Sequence, residues 1–210
     1  MSILVSWSGG KDCAFALHTL RLEKQDVAGL LVVLAEAGDG AEVPMHRIPE
    51  QFVRRQAESL GLPMFEARIP NPCDDDAYGG IMTGCLLRAR DAGVTRIAFG
   101  DLYLEEVRRR RVDKMAGTGI EPIFPLWLYP TAQLARDFLA SGFKAQIAGV
   151  DPAVLDESWV GRAYDEDFLA SLPDGADPCA ENGEFHTFVH DGPIFRHSVP
   201  RLPSLRSVVT

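Results

Sequence analysis

Cysteine is scarce: four in 210 residues, at Cys13, Cys73, Cys85 and Cys179, with no CxxC pair among them. That spacing argues against a disulfide framework or a structural zinc and points to a reducing compartment. Basic residues are also in deficit, 21 Lys and Arg against 30 Asp and Glu, for a formal net charge of −9. Such a balance argues against long nucleic acid held by phosphate neutralisation, and leaves room for a small anion in a local pocket. Long hydrophobic runs are missing too. The longest, Val27 to Ala37, falls short of the ~20 residues of a spanning helix. The N-terminus has no basic start followed by an apolar stretch, so a signal peptide and membrane attachment are not expected and the cytoplasm is.

What remains is 46% hydrophobic and 24% charged, the balance of a soluble globular domain of ordinary size. Ile3 to Trp7 reads as a buried strand, followed by the turn Ser8-Gly9-Gly10. Cys13, Ala16, Leu17 and Leu20 then share one stripe of a helix. Val27 to Leu34 predicts a second strand, apolar throughout and so covered on both faces. Glu50 to Leu60 predicts a helix closed by Gly61, and Pro63 to Ala67 a third strand. Asp74 to Ala92 is helical in pattern, with Asp74-Asp75-Asp76 read as its cap. Thr95 to Phe99 gives a fourth strand, Tyr103 to Ala116 a charged helix, Ile120 to Phe124 a fifth strand, and Thr131 to Ala140 a short helix.

Strands alternating with helices imply parallel pairing through right-handed crossovers. The expectation is α/β, a doubly wound, mainly parallel five-stranded Rossmann-like sheet over residues 1–125. A smaller mixed α+β part is expected over 126–210. Within it, Phe143 to Val150 suits a strand, and His186 to His190 with Ile194 to His197 reads as a hairpin across Asp191-Gly192-Pro193. The tail from Pro200 is expected to be loosely held.

The strongest local signal is Ser6-Trp7-Ser8-Gly9-Gly10-Lys11-Asp12-Cys13 between the first strand and first helix. Two glycines let backbone N–H groups converge, the helix adds its positive end, and Lys11 adds a full charge. These parts suit a phosphate or pyrophosphate, and the place is right, since open α/β sheets bind ligands beyond their strand ends. The spacing fits neither a Walker A loop nor G-x-G-x-x-G.

Ser8-Gly9-Gly10-Lys11-Asp12 resembles the PP-loop of the ATP pyrophosphatases, and further segments narrow the likeness to the diphthine–ammonia ligase group and its bacterial relatives. Pro44-Met45-His46 is similar to a segment near the adenine. Phe99-Gly100-Asp101, with Leu104, Glu105 and Arg108, resembles the family's Gly-Asp block. Glu121 to Trp127 is similar to the strand that follows. Gly149-Val150-Asp151, Leu155-Asp156 and Gly161-Arg162 resemble the start of the C-terminal part. Cys179 to Thr187 is similar to the Glu-x-Gly-Glu-(Phe/Tyr)-x-Thr signature on the acceptor side. The likeness runs from about Ile3 to Phe195, with one departure: Cys13 stands where the usual loop has Ser.

The resemblance implies that ATP with Mg²⁺ is cleaved to AMP and pyrophosphate, adenylating a carboxylate that ammonia converts to an amide. It implies ATP contacts at Ser6, Ser8, Gly9, Gly10, Lys11, Asp12, Cys13, His46, Gly100, Asp101 and Arg108. It implies acceptor contacts at Arg162, Glu181, Asn182, Gly183, Glu184, His186 and Thr187. Lys11, Asp101 and Glu184 are the expected catalytic residues and Asp101 the expected metal ligand.

The residues by themselves leave alternatives. Asp101 suits Mg²⁺, a ribose hydroxyl or a helix cap. His46 suits an adenine pocket or an ordinary loop equally. Cys13 reads as a core thiol rather than a nucleophile. Glu105 is placed to pair with Arg109, and only Arg108 of the Arg108–Arg111 run is expected to reach phosphate. His186 and His190, four apart on a strand, lie ~13 Å apart, too far for one zinc. The alternative functions are a universal-stress-type nucleotide sensor and a tRNA-modifying PP-loop enzyme, the latter disfavoured by the acidic charge. The acceptor is a protein residue or a small molecule, and a homodimer is left open.

Overall fold

The computed structural model describes residues 2–203. Its first half runs β1 (Ser2–Ser6), α1 (Lys11–Leu22), β2 (Val27–Ala37), β3 (Gly40–Val43), β4 (Ile48–Pro49), α2 (Glu50–Leu60), β5 (Met64–Ile69), α3 (Asp75–Asp91), β6 (Val94–Ala98), α4 (Glu105–Met115) and β7 (Glu121–Ile123). The second half adds α5 (Thr131–Ala140), β8 (Lys144–Val150), β9 (Ala163–Tyr164), α6 (Glu166–Ser171) and β10 (Phe185–Asp191).

Five strands pair in parallel in the order β5-β2-β1-β6-β7. The strand alternation explains why both faces are covered. Ile3 and Val5 of β1 join one apolar cluster with α1 and α2, whereas Leu4 joins the other with α3 and α4. The sheet is therefore doubly wound. The order reverses between β1 and β6, so the ends of those two strands frame the crevice where such sheets bind ligands. Capping follows the sequence: Gly61 closes α2 at φ 67° and Asp74 caps α3 by accepting the Ala77 N–H at 2.7 Å.

Two elements extend the sheet beyond the expectation. β3 and β4 pair antiparallel on the far end of β2, giving seven strands in all. The turn between them carries Met45 and Arg47 at φ 64° and 49°, a left-handed backbone that short apolar runs do not announce.

The expected C-terminal hairpin does not form. β10 pairs antiparallel with β8, which in turn pairs with β9, and the chain after Asp191 leaves as loop. There Ile194 is buried and its carbonyl accepts Arg21 Nη1 at 2.7 Å, while the Arg196 N–H donates to Ser59 at 3.0 Å. Burial against α1 and α2 outweighs local pairing. The tail is also better held than expected: Leu202 is buried, and its backbone exchanges bonds of 3.0 and 3.2 Å with the buried Gln146 side chain. Residues 204–210 of that tail lie outside the described residues.

The two halves share one core. Phe15 of α1 packs edge-on or tilted against Tyr129, Phe138 and Phe143, and Phe138 stacks on Phe143 at 4.7 Å. Aromatic pairs of this kind add to the area they bury. Phe138 also meets Tyr164, and Tyr164 meets Phe185 of β10, so the cluster ties β10 to the first helix.

Candidate active site

The glycine turn after β1 is shaped by its neighbours. Gly9 takes φ +87°, and a Cβ there would lie 2.8 Å from Gln56 Oε1. A Cβ on Gly10 would lie 3.2 Å from the Thr187 carbonyl oxygen. Only glycine allows this approach of three segments. Gln56, fully buried on α2, accepts Trp7 Nε1 at 2.9 Å and donates to Gly9 at 3.1 Å and to Val189 at 2.6 Å. β10 closes the other side, where the Val189 N–H reaches the Gly9 carbonyl at 2.9 Å and Thr187 Oγ1 accepts the Lys11 N–H at 3.0 Å.

Lys11 is 2% exposed, yet its ammonium is satisfied. Nζ donates to both Asp12 carboxylate oxygens, at 3.0 and 2.9 Å, and to the Cys179 carbonyl. Burial works to lower its pKa, but the Asp12 carboxylate, Cys179 and Glu181 together outweigh that and the group is held charged. Cys13 is the inert thiol of the sequence reading: it is buried, donates to the Gly10 carbonyl at 3.1 Å, and burial raises its pKa. Ser8 Oγ lies 3.8 Å from it.

The end of β6 meets this cradle closely. A Cβ on Gly100 would lie 2.9 Å from the backbone of Asp12. Asp101 faces the same crevice, with Arg111 Nε at 3.4 Å from its carboxylate. Across from it stands Glu181. Burial raises the Glu181 carboxyl to about 7, helped by Asp12 and Asp101 and opposed by Lys11 and the Leu102 backbone N–H. Cys179, pushed up to about 12 by burial, is no nucleophile.

The other residues expected on the acceptor side divide in two. Thr187 and Glu181 lie at the cradle, and His186 is within electrostatic reach of Lys11, which helps burial lower its pKa. Its ring centre is 4.5 Å from that of His46, whose pKa burial lowers to about 4 and whose Nδ1 has no partner among the described residues. Glu184 is occupied within its own loop. It is 4% exposed and accepts the Asp177 and Asn182 N–H groups at 2.9 and 3.1 Å and Asn182 Nδ2 at 3.0 Å. Gly183 provides the φ 87° turn between them, and Asn182 is exposed. Arg162 stands over Trp159 at 4.3 Å and bonds Ser171. Arg108 stacks over Trp127 at 4.7 Å and pairs with Glu105 at 3.8 Å, so Glu105 meets the i+3 arginine rather than Arg109.

A cavity of about 610 Å³ opens between α3 and α4, floored by Leu31, Ile97 and Phe99 and walled by Tyr78, Met82 and Arg111. Its size and mixed apolar and polar lining are those of a small-molecule site. Phe99 on the cavity floor directly precedes Gly100, which packs on the Asp12 backbone. His46 does not line it. Sequence reasoning missed both the cavity and Gln56. The signal for Gln56 was its place in the Val53, Ala57, Leu60 stripe, where a polar residue must find partners.

No three His, Cys, Asp or Glu side chains converge to hold a metal among the described residues. Magnesium commonly binds through substrate phosphates with one or two carboxylates, and so would arrive with a nucleotide. No helix among the described residues is long and apolar enough to cross a membrane.

A glycine cradle at a helix N-terminus, a buried lysine within it and a strand-order reversal beside it define a phosphate-binding α/β protein of the nucleotide-handling class. The chain belongs to the diphthamide synthase family: the N-terminal domain of that family matches residues 1–120 and the C-terminal domain residues 130–202. This is a family of PP-loop, ATP-utilising ligases. The diphthine–ammonia ligase of Homo sapiens is 25% identical over 95% of this chain and 82% of its own length. That of Danio rerio is 26% identical over 91% of this chain and 83% of its own. A solved structure from Methanocaldococcus jannaschii, described as a predicted subunit of tRNA methyltransferase, aligns over 90% of this chain and 96% of that one, with TM-score 0.46 and 16% identity.

Proposed function

We propose that the protein cleaves ATP to AMP and pyrophosphate to activate a carboxylate, which ammonia then converts to an amide; that its relatives are named diphthine–ammonia ligases supports the joining of ammonia. The observation that carries this reading is the junction at Lys11. Its backbone N–H bonds Thr187 and its ammonium bonds the Cys179 carbonyl, so the phosphate cradle and the 177–187 loop form one site. A protein that only held a nucleotide would have no need to build a second wall of polar loop around the phosphates.

In this reading the phosphates lie against the amides of residues 8–13 and the base enters the cavity between α3 and α4. An acceptor carboxylate oxygen attacks the α-phosphorus, and the bond to the bridging oxygen breaks. Lys11, the amides and the N-terminus of α1 stabilise the charge that gathers on the departing pyrophosphate. Magnesium, when bound, adds neutralisation of the phosphate oxygens. Glu181, His186 and Thr187 face the acceptor side, and Glu184 shapes the loop that presents them.

The test is the nucleotide product. Purified protein with ATP, Mg²⁺, ammonium and a cell extract as acceptor source is expected to release AMP and pyrophosphate, with Lys11→Ala inactive. Release of ADP and phosphate would overturn the reading, and extract-independent binding without turnover across varied extracts would favour a sensor.

A further inference from the structure

We propose that Glu181 is the proton acceptor that turns ammonium into the attacking ammonia. The proposal rests on the amide-forming reading above and names a group for its second step. In that step an ammonium ion gives one proton to the Glu181 carboxylate, leaving ammonia and a carboxylic acid. The ammonia lone pair attacks the acyl carbon, the bond from that carbon to the AMP oxygen breaks, and the nitrogen's surplus proton goes to the departing phosphate.

The placement supports this. Glu181 hangs from the loop whose Cys179 carbonyl holds Lys11, and Ala180, at φ 58°, turns the chain between them. The carboxylate is thereby set beside the residue that marks the phosphates. Glu181 and Glu184 are the two carboxylates of the Glu-Asn-Gly-Glu segment, and their situations differ. Glu184 is occupied by the Asp177 and Asn182 N–H groups and by the Asn182 side chain. Glu181 has one backbone N–H, that of Leu102, and no side-chain hydrogen bond among the main influences on it. The charged and titratable groups facing it are Asp12 and Lys11 from α1, Asp101 from the end of β6, and Tyr103 and Cys179 at the rim. Glu181 is half-buried rather than enclosed, and Tyr103 beside it is 38% exposed, so a small solute can reach the carboxylate. A carboxyl whose proton affinity lies near neutrality, about 7, suits a general base at physiological pH.

Hydroxylamine gives the decisive comparison, because at neutral pH it is mostly the free base and needs no deprotonation before attack. Wild type and Glu181→Gln are assayed with ATP, Mg²⁺ and extract, with either ammonium or hydroxylamine as nucleophile, and Mg-ATP binding is measured by calorimetry. Glu181→Gln is expected to bind ATP as wild type does and to lose roughly 10²–10⁴-fold of the ammonium-dependent rate. Hydroxylamine should restore most of its AMP release. In wild type the ammonium-dependent rate should rise with pH and level off above about 7, whereas in the variant, which depends on ammonia already free in solution, it should go on rising beyond that pH. Equal loss with both nucleophiles, or loss with neither, would overturn the role of Glu181 while leaving the amide-forming reading intact. Absence of AMP and pyrophosphate from wild type with either nucleophile would overturn that reading and this one with it.

Discussion

Replacing Gln56 with Leu should destabilise the protein by about 3 kcal/mol. Gln56 is wholly buried and bonds three groups on two other segments: Trp7 Nε1, the Gly9 carbonyl and the Val189 carbonyl. Leucine fills much of the space but pairs with none of them. The Trp7 N–H is then left buried and unsatisfied, at about 1–3 kcal/mol, and loss of the bond to Val189 adds about 1 kcal/mol. Gly9 suffers less, since its carbonyl keeps the Val189 N–H at 2.9 Å. For a chain of this size, about 3 kcal/mol corresponds to a fall in Tm of roughly 6–12 °C. Urea denaturation followed by far-UV circular dichroism should show a lower midpoint at unchanged slope. A cycle with Trp7→Phe isolates the mechanism: with the indole donor gone, Gln56→Leu should cost about 1–2 kcal/mol less. A loss below about 1 kcal/mol in the single variant, or no coupling in the cycle, would refute the reasoning.

Other perturbations probe the site in parts. Gly100→Ala places a Cβ 2.9 Å from the Asp12 backbone, so it should push the β6–α4 loop off the cradle and weaken ATP binding at least tenfold by calorimetry. Glu184→Gln tests the 177–184 loop through acid stability. Burial works to raise Glu184, but the Asp177 and Asn182 N–H groups outweigh it, and the folded carboxyl stays below its ordinary 4.5. A depressed folded pKa gives stability that is full above the unfolded value and lost as pH falls through the folded one. Acid unfolding should thus start below pH 4.5 in wild type, and its dependence on pH there should be shallower in Glu184→Gln. Thiol labelling of the native protein should modify Cys73 first, because Cys13, Cys85 and Cys179 are buried; rapid labelling of Cys13 would contradict its assignment as a core thiol.

The parallel sheet was legible because its strands are apolar on both faces and its helices carry one stripe each. Helix Glu50–Leu60 and helix Thr131–Ala140 fall where periodicity places them. The failures were of partner choice. The residues around His186–His190 do form a strand, but it pairs with β8, and nothing local distinguishes a neighbour across a Gly-Pro turn from one 40 residues away. The tail misled for the same reason, since Leu202 is held by Gln146, a contact visible only after folding. In the site, the cradle was readable because glycine, lysine and helix start occupy consecutive positions. Glu181 and Glu184 were not separable, because composition shows two carboxylates in one loop and cannot show which one the backbone N–H groups take.

That difference bears on how the two halves of the chain depend on each other. The cradle's inner face can stay free for phosphate only if its outer face is fixed, and the fixing groups are Thr187 and Val189 of β10 together with Gln56. A β1–α1 unit alone would leave Gly9 and Gly10 free to sample many conformations, a freedom that binding would have to remove. β10 is itself held by β8 and by its own aromatic side chains, Phe185 against Tyr164 and Phe168 and Phe188 against Phe52. On the proposed reading the second half is therefore part of the nucleotide site as well as the wall opposite it, and residues 1–125 by themselves should bind ATP more weakly than the whole chain. Calorimetry on that fragment and on the intact protein would decide this: equal affinities would show that the cradle orders itself without β10.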